Sequence, residues 1–93
     1  MTDSPDPEEP HVVPLSDELD LHSFLPRDVV SVVDEYVEQA CAAGLTRVRI
    51  VHGRGRGVQR GMVQAALERH PRVRSFRDDP DSHLGATLVE VGS

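Results

Sequence analysis

Two short stretches of this chain carry residue types that can do chemistry. "LDLH", Leu19 to His22, sets a carboxylate and an imidazole two positions apart, at Asp20 and His22. "HGRGRG", His52 to Gly57, sets a second imidazole before glycines that alternate with Arg54 and Arg56. Imidazole exchanges protons near neutral pH, a carboxylate can orient it or hold a cation, and guanidinium forks match phosphate oxygens. Cleavage of a phosphodiester needs these parts: a base for the attacking oxygen and positive charge for the charge developing on phosphorus. Asp20, His22 and His52 are therefore the candidate catalytic residues.

The glycine spacing excludes two familiar readings. A dinucleotide loop, G-x-G-x-x-G, would need glycine where Val58 or Arg60 stands, and a P-loop needs a lysine, which this chain lacks entirely. What remains is a strand running into a glycine-rich turn and then a helix. Free N–H groups and the partial positive charge of a helix N-terminus favour an anion there, and glycines let a phosphate approach the backbone. Gly53, Arg54, Gly55, Arg56, Gly57 and Arg60 are the candidate phosphate contacts. The simpler alternative is a turn whose glycines only supply positive φ, although three glycines alternating with arginines exceed what a turn needs.

The elements that must position these residues can be read from periodicity. Asp17 to His22 predicts a short strand with Leu19 and Leu21 inward and Asp20 and His22 together on the other side. A helix follows from Pro26 to a stop at Gly44, with Val29, Val33, Tyr36, Val37, Ala40 and Cys41 on its apolar face. Its valines are weak helix formers, so packing must hold it. Arg47 to Val51 is the second strand, Val58 to His70 the second helix, with Val58, Met62, Val63, Ala66 and Leu67 apolar, and Pro71 its end. Strands at 72–76 and 86–91 complete a β-α-β-α-β-β order. This predicts an α/β fold, a compact two-layer sandwich with a four-stranded mixed sheet and two helices on one face. If the first two strands are parallel neighbours, their carboxyl ends share one sheet edge, and Asp20, His22 and His52 meet there with the glycine loop.

Composition sets the limits. With 93 residues and 38% hydrophobic content the chain suits one small domain with a thin core. Three aromatic residues, Phe24, Tyr36 and Phe76, leave that core aliphatic and speak against strong base stacking. The single cysteine, Cys41, excludes an internal disulfide and a cysteine zinc cluster, and its apolar neighbours predict a buried filler. The acidic, proline-rich residues 1–14 read as a disordered leader, with the folded domain at 15–93. Without a signal-peptide pattern or a membrane-length apolar run, a cytoplasmic protein without membrane contact is expected, and a monomer.

Net charge is −6, yet it is unevenly spread. Residues 1–20 hold seven acids and no lysine or arginine, while residues 47–77 hold nine arginines and one acid, Glu68. A polyanion responds to such a local patch rather than to the total, although a solvated arginine-rich surface is the plain alternative.

These residues resemble a known family. "LDLH" at 19–22, "HGRGRG" at 52–57, "ERHPRVRSFRD" at 68–78 and "GATLVEV" at 85–91 are similar to the Smr, or small MutS-related, domain, which occurs at the carboxyl end of MutS2 proteins and as a stand-alone chain. The resemblance implies a fold like the carboxy-terminal domain of bacterial translation initiation factor three. It also implies nucleic-acid binding and, in many members, endonuclease activity, either nicking DNA or cleaving mRNA on stalled ribosomes. The family's Asp-x-His motif falls on Asp20 and His22, and its H-G-x-G motif on His52, Gly53, Arg54 and Gly55. Two features depart: Leu25 stands where a Thr or Ser usually caps the first helix, and the loop before the last strand keeps only Gly85.

The expected function is thus nucleic-acid binding with endonuclease activity on DNA or RNA; the alternative is a non-catalytic module for branched or structured nucleic acid. Mismatch-related DNA repair, recombination control and ribosome rescue all remain open as pathways. No cofactor is required by this reading. A divalent ion such as Mg²⁺ or Mn²⁺ on Asp20 and the histidines is the other route, less favoured because a hard cation prefers more carboxylates.

Overall fold

The computed structural model describes residues 16–53 and 58–92. The expected leader at 1–14 and the loop residues Arg54, Gly55, Arg56 and Gly57 lie outside the described residues. Strand β1, Glu18–Asp20, leads through a 3₁₀ turn at Pro26–Asp28 into helix α1, Val29–Ala42. Then follow β2, Arg47–Val51, α2, Val58–Arg69, β3, Val73–Asp78, and β4, Ala86–Val91. The four strands form one sheet in the order β1-β2-β4-β3, with β1 parallel to β2 and β4 antiparallel to both its neighbours. This is the mixed sheet that the periodicity predicts.

Both helices pack on one face. Val29, Val33, Tyr36, Val37 and Ala40 of α1, and Val63, Ala66 and Leu67 of α2, are buried against Val48, Ile50, Val89 and Val91 of the sheet. The strands alternate, so Arg49, Leu88 and Glu90 lie on the other face. The valines of α1 have low helical propensity, and the complete burial of Val29, Val33 and Val37 supplies what propensity does not. Tyr36 anchors the start of β1: its hydroxyl donates to the Ser16 carbonyl at 2.6 Å, and burial, helped by nearby Asp17 and Glu18, pushes its pKa up to about 12.

Four local differences from the expected elements have physical causes. The helix expected from Pro26 opens as a 3₁₀ turn, because no side chain caps it and the Asp28 N–H instead reaches the Leu25 carbonyl at 2.9 Å. Strand β3 runs on to Asp78, two residues past its expected end, because Arg77 and Asp78 pair with Leu88 and Thr87 of β4, and Arg60 takes the Asp78 charge. Val58, expected on the buried face of α2, is exposed at its first turn, and Cys41, expected buried, is half-buried against the core. The stop at Gly44 is as expected: at φ 84° it lets its own N–H reach the Cys41 carbonyl and the Leu45 N–H reach the Ala40 carbonyl, closing the helix end.

Candidate active site

The parallel pairing of β1 and β2 decides what meets what. Asp20 lies opposite Val51, and the Leu21 N–H donates to the Val51 carbonyl at 2.9 Å, so both strands end at the same sheet edge. Val51 lies in turn opposite Ala86, which brings the start of β4 to that edge. The backbone therefore collects His22, His52, Gly53 and Gly85 within one cluster of loops.

The alternation of β1 continues past its end, which buries Leu21 completely and turns Asp20 and His22 outward. The two form a pair: His22 Nδ1 lies 2.9 Å from Asp20 Oδ1, and the His22 backbone N–H donates to the same oxygen at 3.0 Å. That backbone N–H and then the ring hold the Asp20 carboxyl below the usual carboxylate range, so it is ionised near neutral pH. An ionised carboxylate only accepts, so Nδ1 carries a hydrogen and Nε2 is the nitrogen left to exchange a proton. The imidazole is open to solvent, with 83% of its side chain exposed, and Nε2 has no hydrogen-bond partner among the described residues.

His52 is placed differently. It is buried, and both ring nitrogens are engaged: Nδ1 with the Gly53 carbonyl at 3.0 Å and Nε2 with Thr87 Oγ1 at 2.9 Å. A carbonyl only accepts, so Nδ1 carries the hydrogen and Nε2 accepts from the Thr87 hydroxyl. The same hydroxyl accepts from Gln64 Nε2 at 3.2 Å, and Gln64 Nε2 also donates to Asp78 Oδ1 at 3.0 Å. Arg60 closes the chain with two 2.7 Å bonds to Asp78, from Nε to Oδ1 and from Nη2 to Oδ2. Arg60, then Gln64, hold the Asp78 carboxyl low against a burial that pushes it up. Expected as a phosphate contact, Arg60 has its fork occupied by a carboxylate of its own chain.

Gly53 sits at φ 82°, a conformation that disfavours any side chain with a Cβ, and the His52 and Gly53 N–H groups both donate to the Gly85 carbonyl. The turn that leads into the glycine loop is thus fixed from below by His52 and from the side by Gly85. The arginine-rich stretch is also less basic than its sequence. Arg47 pairs with Glu90, Arg49 with Glu18 and Asp79, Arg60 with Asp78, and Arg72 with Glu38.

The relay residues Thr87, Gln64 and Asp78 were missed in the sequence. One signal was available for Thr87: it shares strand parity with Val89 and Val91 and is a polar residue at a core-facing position. Among the described residues no group of three or more His, Cys, Asp or Glu side chains could hold a metal ion. Asp20 Oδ1 already takes two bonds from His22, and both His52 nitrogens are committed. No helix among the described residues is long and apolar enough to cross a membrane.

Comparison with known proteins agrees with this architecture. The Smr domain family model matches residues 19–92. Endonuclease MutS2 of Caldicellulosiruptor bescii is 40% identical over 75 residues, which cover 78% of this chain and 10% of that protein. The chain thus spans about a tenth of the length of the curated relatives it matches. The crystal structure of the Smr domain of Thermus thermophilus MutS2 has a TM-score of 0.75 at 37% identity, covering 80% of this chain and 95% of that one. YdaL, a stand-alone small MutS-related protein from Escherichia coli, has a TM-score of 0.75 at 26% identity, covering 83% and 65%. With a family model matched from the first strand to the last and the same fold in both solved structures, this chain belongs to the Smr domain family.

Proposed function

We propose that this domain binds nucleic acid and cleaves its phosphodiester backbone without a metal ion, with His22 as the proton carrier and Asp20 as the group that orients it. The observation that carries the proposal is the solvent-open Asp20–His22 pair at the sheet edge where β2 ends. The name endonuclease carried by the matched MutS2 relatives supports it.

His22 Nε2 takes the proton from the attacking oxygen, the 2′-hydroxyl of RNA or a water on DNA. That oxygen bonds to phosphorus, the bond from phosphorus to the leaving 5′-oxygen breaks, and the leaving oxygen collects a proton from solvent. Asp20 holds the Nδ1 hydrogen and favours the imidazolium that forms. His52 acts as a positioning residue: with Thr87 it fixes the backbone at Gly53, from which the N–H groups and the arginines Arg54 and Arg56 grip the phosphate. Gly55 and Gly57 allow its close approach. The commitment of Asp20 Oδ1 and of both His52 nitrogens supports a route without Mg²⁺ or Mn²⁺.

One observation favours the second reading, a binding module without catalysis. Because His52 has both nitrogens committed, only His22 of the two candidate histidines is left to exchange a proton, where cleavage uses both a proton acceptor and a proton donor. Labelled single-stranded RNA, duplex DNA and branched DNA, each with Mg²⁺, Mn²⁺ or chelator, separate the readings. The proposal expects cleavage in chelator that Asp20→Asn lowers without loss of binding. Binding without cleavage on every substrate supports the module.

A further inference from the structure

Residues 79–85 join β3 to β4 at the sheet edge where β1 and β2 end. Ser82 ties this loop together. Its hydroxyl donates to the Asp79 carbonyl at 2.8 Å and accepts from the Gly85 and Ala86 N–H groups at 3.1 and 3.0 Å. Asp79 is buried, with the Asp81 N–H on Oδ1 at 2.9 Å and Arg49 on Oδ2 at 2.7 Å. These bonds fix the backbone of the loop. They hold His83 at φ 52° and Leu84 at φ 69°, two successive non-glycine residues in the left-handed region that glycine adopts without strain. Such strain persists only where the surroundings impose it, and it gathers at functional sites. The His83 ring is exposed, and neither of its nitrogens has a hydrogen-bond partner among the described residues.

The backbone bonds of the edge set where His83 stands. The Leu21 N–H meets the Val51 carbonyl at 2.9 Å, and His22 is the next residue. The Gly85 carbonyl takes the His52 and Gly53 N–H groups at 3.0 and 2.9 Å, and His83 lies two residues before it. With β1 on one side of β2 and β4 on the other, His22 and His83 flank the end of β2 from opposite sides. Strands β1 and β4 stand about 10 Å apart, two strand spacings. In-line displacement at phosphorus requires such a layout. The attacking and leaving oxygens lie on opposite sides of phosphorus, so the group that takes a proton and the group that gives one must face each other across it. His52 is not free for the second role, because both its nitrogens are committed. His70 is buried at the other end of α2, where its Nδ1 takes the Arg72 N–H at 3.0 Å. Among the described histidines that leaves His83.

We propose that His83 is the second proton carrier of this edge: its imidazolium protonates the leaving 5′-oxygen while His22 takes the proton from the attacking oxygen. The proposal rests on the cleavage reading above and replaces solvent as the proton source for the departing oxygen. The bond from the attacking oxygen to phosphorus forms as the bond to the 5′-oxygen breaks. One proton arrives on His22, one leaves His83, and exchange with water restores both. Asp20 favours the charge that His22 gains, which suits the acceptor, while both His83 nitrogens stay open to a leaving group.

The test is cleavage of an end-labelled RNA strand by the whole chain in chelator, with either a normal linkage or sulfur in place of the bridging 5′-oxygen at one position. A thiolate departs without a proton, so the sulfur strand needs the base but not the acid. His83→Asn removes the imidazole and keeps a residue that tolerates the left-handed backbone. It is expected to lose about 100-fold on the normal strand and to cut the sulfur strand within about threefold of the wild-type rate, whereas His22→Gln loses both. His83→Gly, which adopts that backbone freely, is expected to show the same pair of rates. A wild-type rate on the normal strand in both His83 variants, or an equal loss on the two strands in both, overturns the proposal while the cleavage reading stands. If the wild-type chain cuts neither strand, that reading falls, and this proposal with it.

Discussion

Thr87→Val removes one oxygen and keeps the shape of a side chain that is completely buried. The lost hydroxyl donates to His52 Nε2 and accepts from Gln64, which keeps its second bond to Asp78. The main cost is therefore the His52 nitrogen, left buried with no partner. A change of tautomer does not rescue it, because Nδ1 must keep its hydrogen for the Gly53 carbonyl. Orphaning a buried polar group costs about 1–3 kcal/mol. A domain of this size has only about 0.05–0.15 kcal/mol of stability per residue, so the loss is a large share of the total. Each kcal/mol moves the midpoint of a small domain by about 4–8 °C, so thermal unfolding is expected roughly 5–20 °C lower. The decisive assay is a double-mutant cycle in urea with His52→Phe, which removes the other partner. The double variant is expected to be more stable than the two single losses predict, by about 1 kcal/mol. Additive losses, agreeing within about 0.5 kcal/mol, would refute the hydrogen-bond argument.

Other predictions are briefer. Gly44→Ala and Gly53→Ala each force a Cβ into the left-handed region where no neighbouring atom stands within 4 Å, so each is expected to lose about 1–2 kcal/mol from backbone strain alone. Only Gly53→Ala is expected to lower nucleic-acid binding, since Gly44 lies at the far end of α1; anisotropy beside denaturant unfolding checks both. Arg49, then the Asp81 N–H, hold the Asp79 carboxyl below its ordinary value of 3.8, as Arg60 does for Asp78. The unfolded chain therefore binds more protons as pH falls through about 4, and the stability from both groups is complete above that pH and lost below it. Melting temperatures between pH 3 and 6 are expected to fall at the acid end, with a shallower slope in Asp79→Asn. Asp20→Asn keeps the fold, because the side chain is half exposed, and is expected to cost about 100-fold or more in cleavage rate.

The strongly periodic elements were legible because their information is local. Helix α1 shows its buried face in the spacing from Val29 to Ala40, and Gly44 marks its end. The alternation around Leu21 was enough to put Asp20 and His22 on one side of β1, where the structure pairs them. What sequence spacing could not reveal depends on partners far along the chain. Asp78 reads as a loop residue until Thr87 of β4 pairs with it and Arg60, eighteen positions earlier, takes its charge. His52 reads as a free imidazole until Thr87, thirty-five positions later, occupies its nitrogen. The run of arginines reads as a basic face until Glu18, Glu38, Asp78, Asp79 and Glu90 arrive from other elements. Phe24 was counted as one of few aromatics, and only the fold reveals that it was not spent on the core.

In the proposed reaction His22, oriented by Asp20, moves the proton while His52 only holds the backbone at Gly53. This division of roles is tested most directly by the rate of cleavage of end-labelled single-stranded RNA in chelator, compared between the wild-type chain, His22→Gln and His52→Gln at equal fraction bound. His22→Gln is expected to lose cleavage with binding intact, while His52→Gln is expected to keep measurable cleavage and lose stability. Cleavage at the wild-type rate by His22→Gln would contradict it.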